Sequence, residues 1–200
     1  MKLLLQKQSK AGTKLTNQGF LFLLISQNIL RMENTFLKIK NLFVEYNSKQ
    51  NILGQSDIVH AVNDLSLDIN RGEILAIAGE SGCGKSTLAK AILKLNKVKS
   101  GEILFENENI LNQKDLSNFR RQVQMIFQNP YASLNPKMKI FDILKEPLTV
   151  NFKLTKQEIK EKIEAIIEKV GLDKNSLNLY PHEFSGGQRQ RIAIARALIL

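Results

Sequence analysis

The sequence predicts an α/β fold with an antiparallel β layer and an inserted helical subdomain, and three observations carry that prediction. Ile74-Leu75-Ala76-Ile77-Ala78 is a short unbroken apolar run, the pattern of a strand buried on both faces of a parallel sheet. A glycine-rich stretch follows, and then residues 85–95, where apolar side chains at 88, 91, 92 and 95 recur with helical spacing. Upstream, two longer segments mix apolar and polar residues in the alternation of strands with one wet face.

Each element follows in order. Residues 1–33 read as an extension outside the domain, either a disordered tail or a stretch upstream of a true start at Met32. Its one apolar patch, residues 19–25, is far shorter than the ~20 residues that span a bilayer, and no small-residue cleavage site follows it. A core over 34–130 opens with a strand at 36–46, a polar loop at 47–57 and a second strand region at 59–69. The turn Asn70-Arg71-Gly72-Glu73 closes that pair and leads into the apolar run at 74–78. Ser100-Gly101 begins a further strand through Phe105, and residues 121–127 read as a buried strand running into Gln128. Residues 129–136 are rich in turn formers. A helical subdomain over 131–184 follows, in which Thr155-Lys156-Gln157-Glu158 is a capping box. Ile159, Ile163, Ile166, Ile167 and Val170 form one packing stripe, and Gly171 stops the helix. Residues 185–200 hold a second glycine motif and the helix it opens.

Composition narrows the function class. The chain has 200 residues, 43% hydrophobic and 24% charged, which suits one globular α/β domain or a core with a small subdomain. The net charge of +10 is spread over helices and loops, with no block of five or six basic residues and no basic–aromatic interleaving. That argues against a nucleic-acid partner, while leaving room for attraction to acidic lipid headgroups. A single cysteine, Cys83, excludes an internal disulfide and a multi-cysteine metal site. It lies at a helix N-terminus near Lys85, and its simplest role is that of a small loop residue.

The chemistry is concentrated in two motifs. Gly79-Glu80-Ser81-Gly82-Cys83-Gly84-Lys85-Ser86-Thr87 fits G-x-x-x-x-G-K-S/T, the phosphate-binding P-loop. Glycines let backbone N–H groups approach phosphate oxygens, and the helix that follows aims its positive end at the anion. Lys85 would reach the β- and γ-phosphates, and the Ser86 hydroxyl would ligate Mg²⁺. The strand before and the helix after weigh against a chance glycine turn. Far downstream, Phe184-Ser185-Gly186-Gly187-Gln188 opens another helix and so another anion-seeking N-terminus.

With Tyr46 and Gln128, these motifs stand in the order of one family, and over about 34–200 the chain resembles the ATP-binding subunits of ABC transporters. The resemblance implies that Tyr46 stacks on adenine, and that Gln128 approaches Mg²⁺ and the attacking water. It further implies that Ser185, Gly186, Gly187 and Gln188 touch the γ-phosphate of ATP held by a second ATPase subunit. Phe184 stands where the family usually has Leu. The stretch Gln128-Asn129-Pro130-Tyr131-Ala132-Ser133-Leu134-Asn135-Pro136, with Tyr180-Pro181-His182-Glu183, is similar to bacterial oligopeptide, dipeptide and nickel importers. Implied with it are ATP and Mg²⁺, a paralogous partner ATPase, two membrane permeases, an extracytoplasmic binding protein and a place on the cytoplasmic face of the inner membrane.

In that family an Asp and a Glu end the next strand and a switch histidine follows later, and residues 1–200 stop before any of them. The expectation is therefore an incomplete α/β core in which residues 1–200 alone bind nucleotide weakly and do not hydrolyse it. Two other readings are a non-catalytic truncated remnant and a non-transport ABC ATPase.

Overall fold

The computed structural model describes residues 4–8, 23–25, 35–47, 58–129 and 133–200. They form two compact units, Met1–Val123 and Gln124–Leu200. The proposed start at Met32 lies outside the described residues, and within 1–33 the structure describes two short strands, β1 (Leu4–Gln8) and β2 (Leu23–Ile25).

The first unit is organised by two long strands, β3 (Thr35–Asn47) and β4 (Ile58–Asn70). They bracket the segments read as strands from alternation, extending each by a residue at both ends. The P-loop strand β5 (Ile74–Ala78) and helix α1 (Lys85–Ile92) come next, followed by β6 (Ser100–Phe105) and β7 (Glu108–Asn109). Antiparallel pairing gives a four-stranded sheet in the order β4-β3-β6-β7. Phe36, Leu37, Ile39, Leu42, Val44 and Ile103 are fully buried in this sheet. Phe105 meets Phe36 edge-on at 4.7 Å and, at 5.0 Å, Phe119. A bulge interrupts β3 at Asn41, which has φ 44° and is held by Ser66 Oγ and Asp64 Oδ1. Gly101 crosses the bulge at φ 106°, where a Cβ would come within 2.4 Å of the Asn41 carbonyl, so the position demands glycine.

The turn after β4 forms as its residues suggest. Gly72 takes φ 71°, Glu73 N–H donates to the Asn70 carbonyl, and the Glu73 carboxylate accepts from both Asn70 N–H groups. The P-loop strand departs from the reading. It pairs antiparallel with β1, from Leu4↔Ala78 to Gln8↔Ile74, rather than lying inside a parallel sheet. With one described strand beside it, its faces are incompletely covered: Ile74 is 69% exposed and Leu75 to Ala78 are half-buried. A second departure concerns the strand read at 121–127. Here α2 (Ser117–Gln122) ends where β8 (Val123–Met125) begins, so the strand is three residues long. Asp115 Oδ1 accepts from both the backbone N–H and the hydroxyl of Ser117, which starts the helix and holds the carboxyl below its usual value. Beyond α1, Lys94 adopts φ 53° and donates to the carbonyls of Ile110 (3.3 Å), Leu111 (2.9 Å) and Gln113 (2.9 Å).

The second unit is helical: α3 (Ile140–Asn151), α4 (Lys156–Lys169) and α5 (Gly186–Leu198), with 3-10 turns at Lys174–Asn178 and Pro181–Glu183. The expected capping box is present, Thr155 Oγ1 accepting from Glu158 N–H at 3.3 Å and Glu158 Oε2 from Thr155 N–H at 2.7 Å. Ile159, Ile163, Ile166 and Ile167 are buried, Val170 packs against the same cluster, and Gly171 ends the helix at φ 74°. Phe184, the departure from Leu, is 5% exposed and belongs to this core along with Ile192, Ala195 and Ile199 of the α5 region. An aromatic ring therefore fits the motif's first position as a packing anchor.

Candidate nucleotide-binding site

Residues 79–84 link β5 to α1 and supply the geometry of a phosphate cradle. Gly82 and Gly84 lie at φ 82° and 96°, backbone that side chains strongly disfavour. A Cβ on Gly84 would sit 2.1 Å from the Ala61 carbonyl of β4, and one on Gly79 would sit 2.5 Å from Cys83 Sγ. Around Gly82 nothing lies within 4 Å of such an atom, so the loop is open at its tip. Helix α1 begins at Gly84 with no side-chain cap and no acidic residue in its first turn. Its first N–H groups and its positive end are thus left for an anion.

Lys85 folds over the loop. Its Nζ donates to the carbonyls of Gly79 (2.6 Å) and Glu80 (2.8 Å) and reaches Cys83 Sγ at 3.5 Å, so the three ammonium protons are all directed into the loop. Ser81 and Ser86 are exposed, and Thr87 is half-buried at the helix start. A convergent ammonium, a bare helix N-terminus and an adjacent hydroxyl make a donor set that fits a triphosphate with its divalent cation. Among the described residues there is no cluster of three His, Cys, Asp or Glu side chains suited to a metal on its own.

Tyr46 lies in the same unit, near the end of β3, with 41% of its surface exposed. Its antiparallel partner is Val59, 52% exposed, and partners directly opposite point to the same face. Two residues along β4 from Val59 is Ala61, whose carbonyl abuts Gly84. At a strand rise of about 3.3 Å per residue, the Tyr46–Val59 face is about 7 Å along β4 from the phosphate loop. Next to Tyr46, Glu45 Oε1 accepts from Lys99 Nζ and His60 Nδ1, each at 2.7 Å, and Lys99 is the chief cause that holds this carboxyl below its usual value. Asn96 Nδ2 donates to the Tyr46 hydroxyl at 2.6 Å. Neither Val59 nor Asn96 was singled out by sequence. Asn96 is 50 residues from Tyr46 in the chain and sits in no motif, so only the pairing of β3 with β6 reveals it.

The remaining candidates belong to the second unit. Gln128 is exposed in a bend just past β8. Ser185 caps α5: its Oγ accepts from Gln188 N–H at 3.4 Å, and Gln188 Oε1 accepts from Ser185 N–H at 2.9 Å. Gly187 is exposed with nothing within 4 Å of a Cβ built on it. Arginines of α5 fix the helix in its unit. Arg191 donates to the Gly171 carbonyl at the end of α4, and Arg196 to that of Ser133. No described helix is long and apolar enough to cross a membrane.

Residues 62–200 match the model of a family described as ABC transporter. The oligopeptide transport ATP-binding protein OppF of Bacillus subtilis is 48% identical over 171 residues, 84% of this chain and 54% of the relative. The dipeptide transport ATP-binding protein DppF of Haemophilus influenzae is 46% identical over 171 residues, 84% of this chain and 52% of the relative. The chain thus spans about half the length of the curated relatives it matches. Among solved structures, the dimer of the bacterial ABC transporter cassette MJ0796 superposes with a TM-score of 0.68 at 28% identity, covering 82% of this chain and 69% of that one. A post-hydrolysis dimer of the same cassette, bound to ADP and Pi, gives a TM-score of 0.67 at the same identity and coverage.

Proposed function

Since the chain belongs to the ABC transporter family, we propose that it is the ATP-binding subunit of an importer that takes up oligopeptides or dipeptides. The observation that carries ATP binding is the P-loop: Lys85 poised over the Gly79 and Glu80 carbonyls, at the uncapped start of α1. In this reading the triphosphate lies along the N–H groups of residues 79–87, with Lys85 turning from its loop carbonyls to the β- and γ-phosphate oxygens. The Ser86 hydroxyl would hold Mg²⁺, which when bound would neutralise charge on those oxygens, and the role of Gln128 rests on the family resemblance alone. Tyr46 receives the adenine ring, supported by its exposure and by the short path along β4 to Gly84.

Ser185, Gly186, Gly187 and Gln188 are assigned to the γ-phosphate of a nucleotide held by a second, paralogous ATPase subunit. Closure of that pair on ATP drives two membrane permeases, fed from outside by a substrate-binding protein, and the subunit works at the cytoplasmic face of the inner membrane. The oligopeptide and dipeptide transport named for the relatives favours peptides over nickel as cargo.

Two measurements test this. Titration calorimetry should detect MgATP binding that Lys85→Ala weakens about ten- to a hundredfold, and undiminished binding by that variant would overturn the site. Uptake of a labelled dipeptide and a labelled oligopeptide should fall in cells lacking the gene. Normal uptake of both would overturn the cargo while leaving ATP binding intact.

A further inference from the structure

An exposed tyrosine ring is a poor platform for a base unless something sets its plane. Near the end of β3, Tyr46 has Val59 directly opposite on the same face. Its hydroxyl is held from a different element: Asn96, in the segment between α1 and β6, donates through Nδ2 at 2.6 Å. That segment is fixed in turn. Lys99 N–H donates to the Phe43 carbonyl at 2.9 Å, Lys99 Nζ binds Glu45, and Lys94 is pinned to three carbonyls. The Tyr46 ring is therefore tied at its hydroxyl to the segment that follows the helix whose N-terminus is read as the phosphate site.

We propose that Asn96 is a positioning residue for recognition of the purine base: by holding the Tyr46 hydroxyl, it keeps the Tyr46–Val59 face ready to stack on adenine while Lys85 and the α1 N-terminus take the phosphates. The proposal rests on the reading of Tyr46 as the adenine platform. A stacking ring that swings freely must be ordered at the moment of binding, and a ring already anchored avoids that entropic cost. The same tether has no bearing on phosphate contacts, which sit on the opposite end of α1.

The test compares two probes on the protein, MgATP and inorganic tripolyphosphate with Mg²⁺, by calorimetry. Asn96→Ala and Tyr46→Phe each remove one partner of the bond while leaving the ring, so each should weaken ATP about three- to tenfold and leave tripolyphosphate unchanged. The double variant should be no weaker than either single one, because both remove the same interaction. Asn96→Asp, whose carboxylate can accept from the tyrosine hydroxyl, should restore most of the ATP affinity. Tyr46→Ala is the control for the underlying reading. If Tyr46→Ala loses base-dependent affinity and Asn96→Ala does not, the positioning role is wrong and the platform stands. If Tyr46→Ala itself binds ATP normally, the platform reading fails and the proposal with it. A parallel fall in ATP and tripolyphosphate affinity for Asn96→Ala would mean a general structural role and would also overturn the proposal.

Discussion

Two helices of this molecule begin at glycine motifs, and they are finished in opposite ways. Helix α1 starts on bare backbone, with Gly84 at φ 96° and no side-chain cap. Helix α5 starts on Ser185, whose hydroxyl and N–H are exchanged with Gln188 in a closed capping box. An uncapped N-terminus costs stability, because several N–H donors go without protein partners. In α1 that cost is offset by burial of Leu88, Ala89, Ala91 and Ile92, and what remains is a first turn without a side-chain cap. The α5 terminus keeps its own side chains on its first turn. In the proposed reading the first takes its ligand inside its own unit, whereas the second is already closed by its own side chains.

The largest effect that could break this contrast comes from adding one carbon to each motif. Gly84→Ala should lower stability by at least about 3 kcal/mol in urea unfolding, since it forces both a left-handed alanine and a clash with the Ala61 carbonyl. Gly187→Ala, with open space around it, should change stability by no more than about 1 kcal/mol. Equal losses at the two positions would end the distinction.

Next in size is Lys85→Ala, expected to weaken MgATP about ten- to a hundredfold while moving Tm little, because the ammonium contacts only loop carbonyls and sulfur. A collapse in Tm would mean that Lys85 is chiefly a structural staple. Ser185→Ala should cost about 1 kcal/mol of stability through the lost cap, without affecting nucleotide binding by the P-loop unit. Stability unchanged in that variant would show that the α5 box is not holding the helix.

The smallest effect is a pH dependence at another capping box, that of α4. The backbone N–H and hydroxyl of Thr155 hold the Glu158 carboxyl below its usual value. Such a lowered carboxylate stabilises the fold above its unfolded pKa, near 4.3, and the contribution disappears as pH falls through the folded value. Acid titration of stability should separate wild type from Glu158→Gln near neutrality and bring the two curves together at the acid end. Curves that stay parallel throughout would rule out this linkage.

Much of this was legible in the chain because it is local. The capping box at Thr155, the isoleucine stripe through Ile167 and the Gly171 stop are each written in fewer than twenty consecutive residues and are found as read, and residues 79–84 join a strand to a helix as their motif requires. What sequence hid was pairing. The apolar run at 74–78 could not announce that it lies antiparallel to residues 4–8 with Ile74 largely exposed. The helix at Ser117–Gln122 was missed because its start signal, an aspartate two residues ahead of a serine, also marks ordinary turns. The Asn96–Tyr46 bond joins residues that share no periodicity, so the fold alone brings them together.

The lysine behind α1 has a consequence in chemical reactivity. A primary amine attacks an acylating reagent through its free lone pair, and Lys94 must first give up donation to three carbonyls before it has one. In a labelling time course under native conditions, Lys94 should be among the last lysines modified, at a rate set by how often the 110–113 segment lifts away. That single side chain would then act as a built-in clock for local opening of the segment it ties to the end of α1, readable by mass spectrometry with and without ATP.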